Sequence, residues 1–441
     1  MKFNIEQCSE KINSSGGLTL AGAILGKLDL DRRVNGIEID GIKCPIISNA
    51  DVIRSYVGLL TLGRTSYEEI ELYRNDKYFR DVLGIRQVPS SSILRQRLDG
   101  AKGRFDSILK EININLLQQS TITPIKGGIG SYVPVDIDVS PFDNSGTKKE
   151  DVSRTYKGHD GYAPNFAYVG AEGHMLNNEL RPGKQHCQKG TPAFLTETCA
   201  FMNQLSLDDE ILYRLDSGYD SQENISILHA CGNYIIKRNL RRESLDEWLE
   251  IAKIYGRKTE PRKGKVVYIG ECFRFMEAQN GIEEPLRIVF EVTVRTIKAN
   301  GEVLLLPEIQ ADTYWSKLNE SPETVIELYH DHGTSEQYHS ELKSDMGVER
   351  LPSGKFSTNA TVLHVAMIGF NILRKIGQGL LSIPEVLPIK VTMKRRRLRK
   401  VIQDIIYMAC KYVKTGNRRK LKFGINCPWF NPFKLLYQKC L

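Results

Sequence analysis

The spacing of apolar residues changes near residue 130, and this change limits the folds open to the 441-residue chain. Before it, apolar residues recur at intervals of three and four, as between Ile53 and Leu60, which is typical of helices. After it, short runs such as Tyr132–Val139 alternate with a period of two, which is typical of strands. Pro124 and three glycines lie between the two regions and mark a first boundary.

The second region has the element order of an RNase H-like core. The predicted elements are strands at 132–139, 166–170 and 174–180, a helix at 191–205, a strand at 211–216, a helix at 222–230 and a strand at 234–237. Three antiparallel strands are thus followed by helix, strand, helix and strand. Strand-like runs from about residue 262 to 306 interrupt this order before two helical stretches, at about 322–344 and 359–377.

Composition excludes several classes of protein. A hydrophobic fraction of 41% and a charged fraction of 26% are ordinary for globular domains, so a disordered chain or a collagen-like fibre is excluded. The nine cysteines are scattered without a CxxC pair, which argues against a zinc knuckle and for thiols in a reducing cytosol. No stretch approaches the roughly 20 apolar residues of a membrane span, and the start lacks the order of a secretory signal. We therefore expect a soluble protein without a membrane partner.

Positive charge is concentrated at the C-terminal end. The net charge is +8, but residues 389–441 hold fifteen Lys or Arg against one acid, Asp404, and so carry 15 − 1 = +14. The first 388 residues then carry 8 − 14 = −6. A segment this basic, including the run Lys394–Lys400, indicates a polyanionic partner. Nucleic acid is favoured over a membrane surface.

A second candidate DNA contact lies in the N-terminal helical region. Pro89 and the serines that follow it predict a helix start, and Ser91–Arg97 then offers Ser, Arg and Gln side chains that a reader of the major groove could use. An ordinary surface helix would have the same polar face, so both interpretations stay open.

Three aspartates occupy strand ends where chemistry is expected. Asp136 and Asp138 are two residues apart and share one face of their strand. Asp216 ends the strand written ILYRLD. Sheets of this type bind ligands beyond the carboxyl ends of their central strands, so these carboxylates can meet at one site. The alternative is that each is a turn or cap residue.

Four further residues repeat at helical spacing. Tyr329, His332, Glu336 and Lys343 stand at offsets 0, 3, 7 and 14, which places them on one helical stripe about 60° wide. An acid beside an aromatic ring, an imidazole and an ammonium suits a site that binds metal and phosphate together. Gly333 weakens this helix, and a break there would keep only Glu336 and Lys343 on one face.

These motifs resemble the DDE-type bacterial insertion-sequence transposases, in the subgroup with a Tyr-x2-Arg-x3-Glu-x6-Lys signature. This chain keeps the spacing, with His332 in place of Arg. The segments VDIDVSPFDNSG and YRLDSGYDSQENI resemble the first and second Asp motifs of the subgroup. The resemblance covers most of the chain from about residue 40 onward.

The resemblance implies a catalytic and metal-binding triad of Asp138, Asp216 and Glu336. Asp138 is preferred over Asp136 because the motif favours Asp-x-Ser/Thr, which Ser140 satisfies, but the choice stays open. Carboxylates converging without cations would repel one another, so two Mg²⁺ or Mn²⁺ ions are expected. The implied DNA-binding residues are Tyr329, His332 and Lys343, and the basic run adds Arg395, Arg396 and Arg397. Imidazole cannot grip phosphate bidentately as guanidinium does, so the role of His332 is open.

The resulting expectation is an α/β protein with an RNase H-like catalytic core interrupted by a β-rich insertion. The expected divisions are a helical N-terminal DNA-binding region at 1–125, the core at 126–240 and 321–380, the insertion at 241–320, and a basic helical C-terminal region at 381–441. Its implied activity is cut-and-paste transposition: a homodimer binds the terminal inverted repeats, cleaves them and joins 3′-OH ends to target DNA. The implied location is the prokaryotic cytoplasm, at the nucleoid. The alternatives are a non-catalytic DNA-binding protein from a decayed element and a non-transposing RNase H-like nuclease.

Overall fold

The computed structural model describes residues 1–7, 9–43, 45–275, 285–390 and 393–440, and the chain divides into two compact units. The first, here called the helical unit, comprises Met1–Thr121, Phe142–Tyr162 and His339–Leu441. The second, here called the sheet unit, comprises Ile122–Pro141 and Ala163–Tyr338.

The core of the sheet unit is a five-stranded mixed sheet. Its central strand, Ser131–Val139, pairs antiparallel with Asn165–Val169, which pairs antiparallel with His174–Glu179. On its other side it pairs parallel with Glu210–Leu215, which pairs parallel with Asn233–Lys237. The helices Thr191–Leu205 and Gln222–Cys231 precede the two parallel strands and supply the crossovers that parallel pairing requires. The predicted RNase H-like order is confirmed.

The predicted β-rich insertion extends this same sheet. Its elements are the helix Leu245–Tyr255 and the strands Gly256–Arg262, Lys265–Arg274, Leu286–Ile297 and Val303–Ser316. The last of these strands pairs antiparallel with Asn233–Lys237, with Ile236 opposite Trp315. The other three strands follow it outward as an antiparallel meander.

The helical unit is built around one long helix, Phe356–Leu381. This helix is long and apolar enough to cross a membrane, but 83% of its most apolar window is buried within the protein. Its Asn371 side chain donates to Asn113 Oδ1 at 2.7 Å, and its Thr361 hydroxyl donates to Asp106 Oδ1 at 2.6 Å. Buried polar groups with partners on a neighbouring helix are typical of a core helix.

The remaining elements of the helical unit agree with the helical N-terminal region predicted from sequence. The N-terminal elements are α-helices at Leu18–Gly26, Leu30–Asn35, Asn49–Thr61, Lys77–Val82, Ser91–Ala101 and Asp106–Gln118, and a 3₁₀ helix at Tyr67–Tyr73. Three short strands, Phe142–Asp143, Ser153–Arg154 and Asp160–Tyr162, form a small sheet.

The structure differs from expectation in the stretch predicted as one helix over 322–344. An α-helix at Pro322–His330 passes into a 3₁₀ turn at Asp331–Thr334, an α-helix at Ser335–Ser340 and a π-helical turn at Glu341–Asp345. Gly333 lies in the 3₁₀ turn. The change of helical pitch at this residue breaks the single stripe that uniform spacing predicts.

The basic C-terminal region is helical in part, as predicted, but it also contains a β-hairpin. Helices occupy Leu398–Val401 and Phe430–Cys440. Between them, Cys410–Thr415 pairs antiparallel with Arg418–Phe423. Ile12–Asn13 adds a third short strand beside Cys410–Thr415.

A buried carboxylate stabilises the loop that precedes the central strand Ser131–Val139. Glu320 is 2% exposed, and its oxygens accept hydrogen bonds from the backbone N–H groups of Gly128, Ile129 and Gly130 at 3.0–3.1 Å. The Tyr132 hydroxyl donates to it at 2.9 Å. Burial acts to raise the pKa of Glu320, but these donors outweigh it and hold the pKa below its ordinary value. The loop therefore needs an anion at this position.

The Glu320→Gln variant should loosen this loop selectively. The amide offers one acceptor oxygen and turns its NH₂ towards N–H donors, which costs about 1–3 kcal/mol for the groups left unsatisfied. Hydrogen exchange of the amides of Gly128, Ile129 and Gly130 should then speed up about tenfold or more. Glu323→Gln is the matched control, because Glu323 pairs at the surface with Arg257. Equal protection in all three proteins would contradict the assigned role of Glu320.

Candidate active site

Asp138 and Asp216 lie side by side at the carboxyl ends of two adjacent parallel strands. The register pairs Asp136 with Arg214 and Ile137 with Leu215, so the next residue on each strand is Asp138 and Asp216. Both aspartates are half-buried. Burial raises the pKa of Asp216, and the charge of Asp138 raises it further. Two carboxylates that repel each other at a strand edge form a site that favours a positive ligand.

Asp136 occupies the same face but a different environment. Its carboxylate is buried and accepts from Arg214 Nε at 2.6 Å and Nη2 at 2.8 Å. Burial opposes its charge, but the Arg214 guanidinium and His332 lower its pKa on balance. Because both of its oxygens accept from Arg214, Asp136 forms a buried structural ion pair, whereas Asp138 is half-buried at the strand end.

Arg214 connects the two central strands to the helix Pro322–His330. Its Nη1 group donates to the Leu328 carbonyl at 2.6 Å. Sequence reasoning missed this residue, although a signal was present: Arg214 precedes Asp216 by two on the same strand and therefore shares its face.

His332 and Tyr329 lie close to the aspartates. His332 is buried, and its Nδ1 atom lies 2.9 Å from Asp136 Oδ1. The Tyr329 ring packs 5.8 Å from the His332 ring. Burial raises the pKa of the Tyr329 hydroxyl, and the charges of Asp216 and Asp138 contribute. His332, which stands where the family signature has an arginine, therefore contacts Asp136 and supports the Asp136–Arg214 pair.

Glu336 is exposed on the helix Ser335–Ser340. Within the described part of the chain, no three His, Cys, Asp or Glu side chains form a group that could hold a metal ion. The structure thus brings Asp138 and Asp216 together and does not group Glu336 with them.

The basic residues predicted to bind DNA belong to the helical unit. The Lys343 ammonium lies 5.5 Å from the centroid of the Phe142 ring. The three arginines predicted to bind DNA each form an ion pair within the unit: Arg395 with Glu341, Arg396 with Asp404, and Arg397 with Asp345 at 2.8 Å.

Two neighbours of Asp216 carried no sequence signal. Asp216 accepts from the Gly218 N–H at 2.9 Å, and the Cys187 thiol donates to the Gly218 carbonyl at 3.0 Å. Trp315 is a packing residue: it is 8% exposed, and its indole N–H donates to Asp220.

The donor chemistry of the aspartate pair fits a hard divalent cation. Carboxylate oxygens are the ligands that Mg²⁺ and Mn²⁺ prefer, and a bound cation would relieve the repulsion that raises the pKa of Asp216. The pair supplies two ligands, and Glu336 would have to approach for a third.

Comparison with known proteins now identifies the family. The sequence pattern of the transposase DDE domain group 1 family matches residues 2–440. The chain belongs to this family. The resemblance read from its motifs is therefore confirmed, and the chain is a member of a transposase family. No functionally curated protein matches the sequence significantly.

One solved structure resembles this chain over most of its length. A piggyBac transposase synaptic complex with hairpin DNA aligns with a TM-score of 0.44 and 11% sequence identity. The alignment covers 90% of this chain and 80% of that one.

Neutral substitution of Asp136 and of Asp138 should change the free energy of unfolding by different amounts. Asp136→Asn leaves the Arg214 guanidinium buried without its counter-charge and should lower the free energy of unfolding by about 3 kcal/mol or more. Asp138→Asn removes repulsion with Asp216 and should lower the free energy of unfolding much less than Asp136→Asn does. Chemical denaturation followed by tryptophan fluorescence measures both variants.

The comparison within one strand is its own control, because the two substitutions are chemically identical and two residues apart. A larger loss of stability in Asp138→Asn than in Asp136→Asn would reverse the assignment of structural and ligand-binding roles.

Proposed function

We propose that this protein is an active transposase that binds the ends of its insertion sequence and cleaves phosphodiester bonds there. It then joins the 3′-OH ends to target DNA by a cut-and-paste route, as a homodimer that pairs two ends. The observation that carries the proposal is the placement of Asp138 beside Asp216 at the ends of adjacent parallel strands in an RNase H-like sheet. Family membership over residues 2–440 supports it.

The catalytic and metal-binding residues in this proposal are Asp138, Asp216 and Glu336, with Mg²⁺ or Mn²⁺ as the ions. Two bound cations would supply Lewis-acid activation of water and then of a DNA 3′-hydroxyl, and would stabilise charge in the in-line transition state. The chain provides no separate nucleophile in this scheme. Its contribution is to fix the carboxylates: strand pairing fixes Asp138 and Asp216, and the Asp216 carboxylate is oriented by the Gly218 N–H.

Other residues in the proposal position the aspartates or contact DNA. Arg214 holds Asp136 and the Leu328 carbonyl, which sets the helix carrying Tyr329 beside the aspartates. Tyr329 and Lys343 are proposed to contact the DNA backbone. His332 is proposed to contribute indirectly, since its Nδ1 atom already faces Asp136.

A second candidate function has one observation in its favour. Glu336 is exposed and is not grouped with the two aspartates among the described residues. A DNA-binding protein from a decayed element, without catalysis, would tolerate that arrangement. The cleavage experiment below separates the two candidates.

Purified protein should cleave labelled duplex DNA that spans the boundary of its own coding element, in Mg²⁺ and not in EDTA. Asp138→Asn, Asp216→Asn and Glu336→Gln should each reduce cleavage to the EDTA level, because each removes one anionic ligand. Glu327→Gln is the matched control, since Glu327 is exposed on the neighbouring helix Pro322–His330. It should cleave like the unmodified protein.

The remaining outcomes choose between alternatives. Binding at the boundary without cleavage in any protein would establish the non-catalytic candidate. Cleavage without preference for the boundary would indicate a nuclease. Activity retained in Glu336→Gln alone would remove Glu336 from the metal site.

A further inference from the structure

Unpaired positive charge in the C-terminal region is concentrated on the hairpin formed by Cys410–Thr415 and Arg418–Phe423, here called the basic hairpin. This segment carries six Lys or Arg and no acid over residues 410–423. Arg418, Arg419 and Lys420 are exposed on its second strand. Among the residues that the structure describes, none of these three has an acidic partner at ion-pair distance.

Six other basic groups of the region are paired with acids within the protein. The Arg395–Arg397 run is paired with acids, as described above, and Arg399 adds a second contact to Asp345 at 3.1 Å. On the hairpin itself, Lys411 pairs with Glu10 at 2.8 Å and Lys414 with Asp81 at 3.2 Å. Positive charge that is not paired with acids is therefore densest towards the turn and second strand of the basic hairpin, whereas the arginines of the Lys394–Lys400 run are paired.

A cavity of about 490 Å³ adjoins the hairpin, and it is here called the aromatic cavity. Within the helical unit, five aromatic rings from the hairpin and from the helix Phe430–Cys440 contribute to its wall, together with Val82, Leu421 and three small residues of the helix Leu18–Gly26. These rings belong to Tyr412, Phe423, Phe430, Phe433 and Tyr437. Two cations, Arg419 and Lys434, also line it.

The rings pack against one another at different angles, and Phe423 is tilted by 55° to Phe433. Phe433 and Tyr437 are nearly parallel, with an interplanar angle of 7° and centroids 6.4 Å apart. Phe423 packs against Phe433 at 5.0 Å. One acid, Asp81, lines the cavity as well, but its carboxylate already accepts from the Tyr412 hydroxyl at 2.7 Å and pairs with Lys414.

We propose that the basic hairpin and the aromatic cavity together bind a segment of unpaired DNA. Its phosphates contact Arg418, Arg419 and Lys420, and one of its bases enters the cavity against the aromatic rings. The combination is what a single strand requires: cations along the backbone and π-faces on which a base stacks regardless of sequence. Arg419 belongs to both surfaces, which ties the phosphate and base contacts to one ligand.

The geometry favours an unpaired strand over a duplex. Phosphate contacts alone would suit either form, but bases within a duplex stack on one another and cannot enter an aromatic cavity without being extruded. The choice of DNA as the nucleic acid rests on the proposed function. The binding itself uses residues of the helical unit and none of the residues assigned to catalysis.

The phosphate contacts are tested by fluorescence anisotropy with a labelled 30-base single-stranded oligonucleotide. The full-length variant R418A/R419A/K420A should bind about tenfold more weakly, and the slope of log K against log salt should fall by about 2, since each phosphate contact contributes about 0.7. The control K253A/K258A/K263A removes the same charge from the exposed side chains of Lys253, Lys258 and Lys263 in the sheet unit. It should bind like the unmodified protein.

The base contact is tested in the same assay at Tyr437. Tyr437→Ala should weaken single-strand binding about tenfold with an unchanged salt slope, because stacking is lost and charge is not. Tyr437→Phe keeps the ring and should restore binding to within about twofold. The duplex form of the same oligonucleotide should bind Tyr437→Ala and the unmodified protein equally.

Three results would overturn the inference. They are unchanged binding in the hairpin variant, an equal loss in the lysine control, and insensitivity of single-strand binding to Tyr437→Ala. Asp138→Asn, assayed alongside, separates this inference from the proposed function. If no protein cleaves DNA but the hairpin and cavity variants lose binding, the catalytic proposal fails and the binding site stands. If the unmodified protein cleaves DNA and the hairpin and cavity variants bind single strands normally, the binding site fails and the catalytic proposal stands.

Discussion

The buried ion pair between Asp136 and Arg214 is the contact on which the candidate site depends. It joins the two central parallel strands, and Arg214 continues to the Leu328 carbonyl at the end of a helix. A guanidinium and a carboxylate without water are costly unless each is fully paired, so the pair tolerates little change in strand register. Once the register is fixed, the next residues on the same face must be Asp138 and Asp216.

This arrangement separates two tasks between neighbouring acids. Asp136 is paired with the Arg214 guanidinium and contributes to structure, whereas Asp138 lies beside the carboxylate of Asp216 at the strand end. The raised pKa of Asp216 reflects burial and this repulsion. A bound cation would reduce this repulsion. His332 contacts Asp136 where the family signature has arginine, and so reinforces the structural half of the site.

Local sequence pattern was sufficient to predict the core strands and their order, because alternation and strand-end residues are encoded within short segments. The pattern did not reveal that the insertion continues the core sheet, since the pairing of Ile236 with Trp315 joins residues far apart in sequence. Nor could it show that Arg395 and Arg397 are paired internally, because their partners Glu341 and Asp345 lie more than fifty residues away. The glycine at position 333 was the local signal for the break in the helix, and the structure has a 3₁₀ turn there.

Anomalous diffraction from crystals soaked in Mn²⁺ tests the central claim most directly, because it locates the metal independently of activity. Manganese density should contact the carboxylates of both Asp138 and Asp216, and the Asp136–Arg214 pair should be intact. Loss of that density in Asp138→Asn would complete the result. Manganese bound by Asp136 with Arg214 displaced, or ordered manganese elsewhere in the sheet unit with none between Asp138 and Asp216, would contradict the account.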